Sequence, residues 1–561
     1  MCTGVISEMW ALRGAAVLVA VIPAKPGILF ANVQKCGVRE PDSRFRGDDR
    51  RFERDPDPNG AYTCRRRSIP WDVTMQTCLS DCTPPIIAAS RISSGERSRH
   101  SMKLTSPPPQ APSSLTPGRK IFNAAASVAV CSAIAALVAT AKELVVARWF
   151  GRGDALDAFL IAFLLPSFLV NLVAGSFNAA MIPTFIEVRE REGKEAAQRL
   201  FSGVMVVSLG LLVGVSVMVS ILAPYFLPLL GSGFSPAKLM LTRRLLYGLL
   251  PFIALSGLAV AWTAVLNAGE RFGLPALSAV LSPLSIIAFL LLLGRAWGIF
   301  ALAVGTVTGV ALQAAVLGWL LRARGVRLEP RWYGWDPSLQ RVIGQYAPML
   351  AGALLMGSTE LVNQAMAAML EPGSVAALNY ARKVVTLFIV VGATPLSTAA
   401  LPYFSQMVTK RDWSGCRHTL RTYSRSIVLL TVPLTLGLVA FSHPLIRILF
   451  QRGAFTAVDT RIVSRVQAFL SLQIPFYILA NLGVRLVSAL KRNLLLMVIA
   501  GVNLALNVIL NLILMRYAGV AGIALATSLV YLVSCVLVYA SIAESLRRQG
   551  ALEGAHGNSS L

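Results

Sequence analysis

The sequence predicts an all-α polytopic membrane protein with about twelve transmembrane helices, arranged as two six-helix lobes. The lobes are related by a pseudo-two-fold axis along the membrane normal. Three observations carry this: an apolar composition, a succession of apolar runs, and an ordered internal repeat. Of the 561 residues, 55% are hydrophobic and 14% are charged, with a mean hydropathy of +0.64. Those values lie outside the range of a soluble domain. From Ile121 to about Ser545 the chain is a series of apolar stretches. Each is roughly twenty residues long, enough to cross a hydrocarbon core of about 30 Å at about 1.5 Å per residue.

Residues 1–118 are different, holding five of the eight cysteines and 13 of the 30 prolines. The run Ala15 to Ile22 is too short to span and ends at Pro23 and Pro26. The stretch from Asp42 to Arg51 alternates charge without hydrophobic periodicity. With Val21 to Ile28 it looks like a bacterial intergenic repeat read through in frame. The expectation is a disordered or spuriously translated extension, with Met102 as the natural start.

Spans are expected near 121–147, 155–183, 200–223, 243–267, 274–294 and 298–321, which form the first lobe within 119–325. A linker is expected over 326–341, on the cytoplasmic side. The second lobe, 342–546, holds spans near 343–368, 375–402, 425–446, 465–489, 494–515 and 519–543, and 547–561 reads as a cytoplasmic tail.

The net charge of +25 suggests a nucleic-acid partner at first sight, but the cations are dispersed among short loops. Connections after the even-numbered spans, with the segment before the first, hold about 22 Lys and Arg against about 11 on the other side. That asymmetry places both termini in the cytoplasm and removes the need for nucleic acid.

The repeat is weak but ordered. Asn178-Ala-Ala-Met-Ile-Pro-Thr-Phe185 returns as Thr398-Ala-Ala-Leu-Pro-Tyr-Phe404, and Gly233-Phe-Ser-Pro236 as Gly453-Ala-Phe-Thr456. Leu250-Pro-Phe-Ile253 is echoed by Ile474-Pro-Phe-Tyr477, and Gly298 to Thr306 by Gly519 to Thr527. Six spans per half preserve orientation, so the halves are parallel repeats with a cleft between them.

Ionisable residues inside spans are costly and face a cavity or a partner. They gather on the first two spans of each half: Lys142 and Glu143; Asp157 and Asn171; Glu360, Asn363 and Gln364; Arg382 and Lys383. Glu360, Asn363 and Gln364 follow i, i+3, i+4 spacing and share a helical face. Cations in such a cleft suit a phosphate-bearing substrate. The alternative is that Lys142–Glu143 and Arg382–Lys383 sit at helix ends and reach to headgroups. The ladder Asn503, Asn507, Asn511 reads as interhelical packing. No catalytic or metal constellation and no cofactor site is apparent, and Gly193-Lys194 lacks the glycines of a phosphate loop. The chain therefore does not read as an enzyme.

Several motifs together resemble the MurJ/MviN family of lipid II flippases, within the multidrug/oligosaccharidyl-lipid/polysaccharide exporter superfamily. They are Glu143-Leu-Val-Val-Ala-Arg-Trp-Phe-Gly151, Asp157-Ala-Phe-Leu-Ile-Ala-Phe-Leu-Leu-Pro166 and Ala180-Met-Ile-Pro183. Gly373-Ser-Val-Ala-Ala-Leu-Asn-Tyr-Ala-Arg-Lys383, Ala399-Ala-Leu-Pro402 and Phe450-Gln-Arg-Gly-Ala-Phe-Thr456 extend the likeness. The resemblance implies export of an undecaprenyl-pyrophosphate-linked sugar precursor across the bacterial inner membrane. Its implied partners are that lipid-linked glycan, membrane lipid and proteins of cell-envelope synthesis. It also exposes departures. The family's cavity arginines fall at Ala136 and at Val170-Asn171, while its eighth-helix arginine falls at Lys383, beside Arg382. Its acidic residue on the second helix is kept as Asp157. The departures imply a different glycan as cargo. The competing readings are an ion-coupled drug exporter of the same superfamily and a non-transporting envelope-assembly scaffold.

Overall fold

The computed structural model describes the backbone of residues 117–558, except 269–272 and 327. The expectations for residues 1–116 lie outside the described residues. Within them every regular element is helical. In chain order the helices are α1 (Pro117–Phe150), α2 (Asp154–Val170), α3 (Ser176–Arg191), α4 (Lys194–Leu230) and α5 (Pro236–Ala268). Next come α6 (Gly273–Ser278), α7 (Leu281–Trp297), α8 (Ile299–Arg322), α9 (Pro337–Ala368) and α10 (Ser374–Thr409). The remainder are α11 (Trp413–Ala440), α12 (Ser442–Phe450), α13 (Ala457–Ser471), α14 (Gln473–Ala489), α15 (Asn493–Ala518) and α16 (Val520–Asn558).

Among the described residues, nine helical stretches are long and apolar enough to cross a membrane. This is a multi-pass membrane protein. The expected spans near 121–147, 343–368 and 375–402 fall on α1, α9 and α10, outside those nine. They are also the helices that hold most of the charged and amide residues singled out above.

Several boundaries differ from expectation for local reasons. The span expected at 155–183 is interrupted by a π turn at Asn171–Gly175, five residues after the intrahelical Pro166. The span at 274–294 divides into α6 and α7, that at 425–446 into α11 and α12, and that at 465–489 into α13 and α14. The expected tail beyond 547 continues as helix to Asn558.

Capping chemistry fixes other ends. Thr456 and Asp459 form a reciprocal capping box at the start of α13. Asp412 accepts from the Gly415 amide at 2.8 Å before α11, and that bond and the Ser414 hydroxyl hold its carboxyl below the usual range. The repeat is visible in backbone geometry as well. Gly298 enters α8 at φ 53° and ψ −127°, and its counterpart Gly519 enters α16 at φ 55° and ψ −135°.

Helices α2 to α8 pack mainly on one another, as do α10 to α16, while α9 touches both groups. Between the groups, at the end remote from the Arg- and Lys-rich connections, main chain meets main chain. The Ala454 amide donates to Arg148 O at 2.9 Å, and the Tyr380 hydroxyl donates to Gly151 O at 3.0 Å. Gly373 sits at φ +84°, and a Cβ there would lie 2.2 Å from Arg152 O. Both conditions demand glycine. Tyr380, Phe450 and Phe455 pack as an aromatic cluster beside this seam, with ring centroids 5.2 to 5.7 Å apart.

Gly373→Ala is expected to lower the thermal unfolding midpoint of the purified protein by several degrees. It combines a strained φ worth about 1–3 kcal/mol with a backbone overlap. Ala substitution at Gly437, where a Cβ meets nothing within 4 Å, serves as the control and should leave the midpoint unchanged.

Candidate functional site

Below the seam lies a cavity of about 910 Å³. Its walls come from α1, α2, α5, α6, α7 and α8 on one side and α9 and α10 on the other. It runs lengthwise through the bundle. Glu143 and Val146 mark its limit near the seam, and Asn267, in the last turn of α5, marks its reach toward the basic end.

Charge is concentrated near the seam. Lys142 Nζ donates to Glu143 Oε1 at 2.6 Å, and Lys383 Nζ stands 3.6 Å from the same oxygen. Arg382 pairs with Glu360, whose other oxygen accepts from the Gln364 amide. Three cations thus face two carboxylates inside a chamber whose other lining residues are apolar or uncharged polar. Ion pairing is what makes such groups tolerable there, because an isolated charge would bear the full desolvation cost. The balance is one positive charge in excess. The loosest member is Lys383, whose side chain is 48% exposed whereas that of Glu143 is 8% exposed.

The remaining wall is amphipathic. Phe159 stacks on Phe163 at 5.8 Å, and Phe163 meets Phe252 edge to face at 4.9 Å. Thr263, Asn267 and Gln313 add uncharged polar groups toward the basic end. Ser256 Oγ and Gln364 Oε1 border the cavity as buried atoms with no hydrogen-bond partner among the described residues.

Six of the residues singled out from sequence therefore converge: Lys142, Glu143, Glu360, Gln364, Arg382 and Lys383 all line this cavity. The other three are placed elsewhere. Asn363 turns away from Glu360, donating to Thr527 Oγ1 at 3.2 Å and accepting from Asn511 Nδ2 at 2.7 Å. Asn511 also reaches Asn507 at 3.2 Å, and Asn503 bonds Ser534 at 3.0 Å, so the amide ladder does join helices. Asn171 is exposed and donates to Ser167 O at 2.9 Å, at the opening of the π turn.

Asp157 belongs to the seam. Its carboxylate accepts from the Gly373 and Ala376 amides at 2.6 and 2.8 Å, at the N-terminus of α10. It also pairs with Lys238 Nζ at 3.0 Å. Free amides and the helix dipole favour an anion at that position. Lys238 bonds Asp154 as well, at 2.6 Å, and lies 3.9 Å from the Phe234 ring centroid. Arg152 and Asp459 add a further pair at 3.2 Å. Lys238 lies 81 residues from Asp157. Its distance from Asp157 in the chain gave no signal of the pairing.

The fold and the cavity define a class, a multi-pass membrane transporter with a charged internal chamber. The chain belongs to the MurJ family, since the family described as lipid II flippase MurJ matches residues 146–555. A protein of Rhizobium meliloti named "Probable lipid II flippase MurJ" is 27% identical over 416 residues, covering 72% of this chain and 76% of that protein. Its namesake from Synechocystis is 27% identical over 423 residues, covering 73% and 79%. Among solved structures, "Lipid II flippase MurJ, inward closed conformation" aligns with a TM-score of 0.65 at 23% identity, covering 74% of this chain and 87% of that one. An inward-facing multidrug resistance MATE family transporter aligns at 0.63 with 13% identity, covering 74% and 95%, a likeness of fold.

Asp157→Asn removes the charge that binds α10 to Lys238. The seam should then open more often. Ser374 is 3% exposed, so a Ser374→Cys reporter in a background from which all eight native cysteines have been removed should be shielded. Adding Asp157→Asn should raise its rate of labelling by a membrane-impermeant maleimide at least several-fold. An unchanged rate would show that Asp157 does not hold the seam.

Proposed function

We propose that this protein is a flippase for an undecaprenyl-pyrophosphate-linked sugar precursor, lipid II or a related lipid-linked glycan. It moves the precursor from the cytoplasmic to the periplasmic leaflet of the bacterial inner membrane, in peptidoglycan or envelope polysaccharide biogenesis. The single observation that carries this reading is the cluster of Lys142, Arg382 and Lys383, with Glu143 and Glu360, inside an elongated chamber with apolar and aromatic walls. Family membership supports the same reading.

The two helix groups act as two six-helix lobes, twelve spans in all, with the basic end and both termini in the cytoplasm. The loop cations support that orientation. The chamber then faces the cytoplasm and is closed on the periplasmic side by the seam. A pyrophosphate entering it attracts Lys383 away from Glu143, which Lys142 still matches, and shares Arg382 with Glu360, adding charge-assisted bonds to phosphate. The sugars lie along Phe163, Phe252, Asn267 and Gln313 while the prenyl chain stays in lipid.

The charge cluster and the seam share one rigid element. Lys383 and Gly373 are ten residues apart on and just before α10, about 15 Å along a helix. A pull on Lys383 therefore bears on the amides that Asp157 holds, and this couples loading of the chamber to opening of the seam. The alternative, an ion-coupled drug exporter, has less support because Glu143 and Glu360 lie on different helices and each already faces a cation.

The test is translocation of fluorescent lipid II in proteoliposomes, with rescue of a strain depleted of its own lipid II flippase. The unaltered chain should transport and rescue. Lys383→Glu should reduce transport at least about tenfold, with normal insertion and an unfolding midpoint within a few degrees. Transport by Lys383→Glu at the unaltered rate would overturn the assignment of this cavity. Rescue failure, with transport of another prenyl-linked glycan, would shift the cargo.

A further inference from the structure

A second cavity, of about 830 Å³, lies at the basic end, separate from the central chamber. It is enclosed by the end of α3, the start of α4, the ends of α5 and α8, and the connection that leads from α8 to α9. Its floor is apolar, formed in part by Phe201 and Leu321, each 1% exposed. Its rim brings five cations against two carboxylates. Glu329 is already matched by Arg331 at 2.8 Å. Lys194, Arg199 and Arg324 have no ion pair among the described residues.

The connection is fastened over this space. The Ser202 hydroxyl accepts from the Arg331 amide at 2.8 Å and donates to Glu329 O at 2.9 Å. Immediately beyond, Trp332, Tyr333 and Trp335 are exposed by 47, 53 and 63%. Exposed indole and phenol rings beside a basic loop are the mark of the headgroup zone of a bilayer. Rings of that kind favour the depth of lipid headgroups. Cations that serve only to orient a chain need nothing more than a place in a loop. Here they converge on one apolar-floored hollow, under a strap tied by a buried serine.

We infer that this cavity binds the phosphate headgroup of an anionic membrane phospholipid, with Arg199 and Arg324 engaging the phosphate. Lipid recognition by convergent Lys and Arg at the membrane surface follows the electrostatics of anionic leaflets. The site is independent of the cargo proposed for the central chamber.

The full chain in detergent, titrated with phosphatidylglycerol or phosphatidylcholine and read by native mass spectrometry, tests this. Phosphatidylglycerol should be retained in preference to phosphatidylcholine. Arg199→Gln with Arg324→Gln should raise the concentration for half-retention on the order of tenfold. Lys410→Gln with Arg421→Gln removes two exposed cations from the same end and should change it less than about twofold. The doubly conservative Arg199→Lys, Arg324→Lys variant should keep the preference and controls for folding. Equal losses in both glutamine pairs, or no preference for phosphatidylglycerol, would overturn the site. Displacement of phosphatidylglycerol from the unaltered chain by millimolar inorganic phosphate or pyrophosphate would overturn the lipid assignment in favour of a soluble ligand.

Discussion

The carboxylate of Asp157 at the N-terminus of α10 is the interaction on which the rest of the arrangement depends. A buried anion needs hydrogen-bond donors and a counter-charge, and it takes the donors from one helix group and the cation, Lys238, from the other side of its own. Because both amides belong to the first turn of α10, the bond uses the helix dipole as well as two short contacts. The glycines at 151 and 373 let the main chains approach closely enough for it to form. With that end held shut, the chamber can extend only toward the basic end. That closure is shared between Asp157 with its partners, the Arg152–Asp459 pair and the Tyr380 and Ala454 hydrogen bonds.

The same rule, that charge inside a membrane protein must be matched, governs the chamber. Lys142 and Lys383 share Glu143, and Arg382 is neutralised by Glu360. This makes the empty chamber stable and at the same time receptive to an anion, since Lys383, the loosest cation, can turn to a phosphate while Lys142 keeps Glu143 matched and Arg382 keeps Glu360 matched. The excess of one positive charge favours that exchange. Aromatic rings on the opposite wall, Phe163 and Phe252, offer flat apolar surface where no counter-charge is required. Cation-rich and aromatic walls are thus separated by the helices that bear them, α1 and α10 against α2 and α5.

Some of this was legible in the chain. Charged residues on otherwise apolar spans can only be buried, paired or facing a cavity, so Lys142, Glu143, Arg382 and Lys383 were identifiable as a group. The asparagine ladder was legible for the same reason, since amides at i, i+4 and i+8 on an apolar helix need donors and acceptors from a neighbour. Shared helical face was a poorer guide. Glu360 and Asn363 are three residues apart, yet about 60° of rotation between them is enough to send one to the chamber and the other to Asn511 and Thr527. Asn171 was misleading because a π turn after Pro166 changes the phase of the helix, and the periodicity of an unbroken helix does not anticipate that turn.

By itself, the sequence determined that the chain is helical and embedded in lipid, that it belongs with its family, and which helices bear charge in their apolar stretches. These are properties of composition, run length and local motif, and each is carried by residues near one another in the chain. Only the tertiary structure decided that Asp157 closes the far end of the bundle rather than lining the chamber. The same holds for Lys238, which pairs inward, and for the cations at the basic end, which converge on a second hollow. The reason is physical: a carboxylate is equally suited to a substrate cation, a lysine or a row of helix amides. Which of these it meets depends on segments distant in the chain, 81 residues away for Lys238 and 216 and 219 for the Gly373 and Ala376 amides.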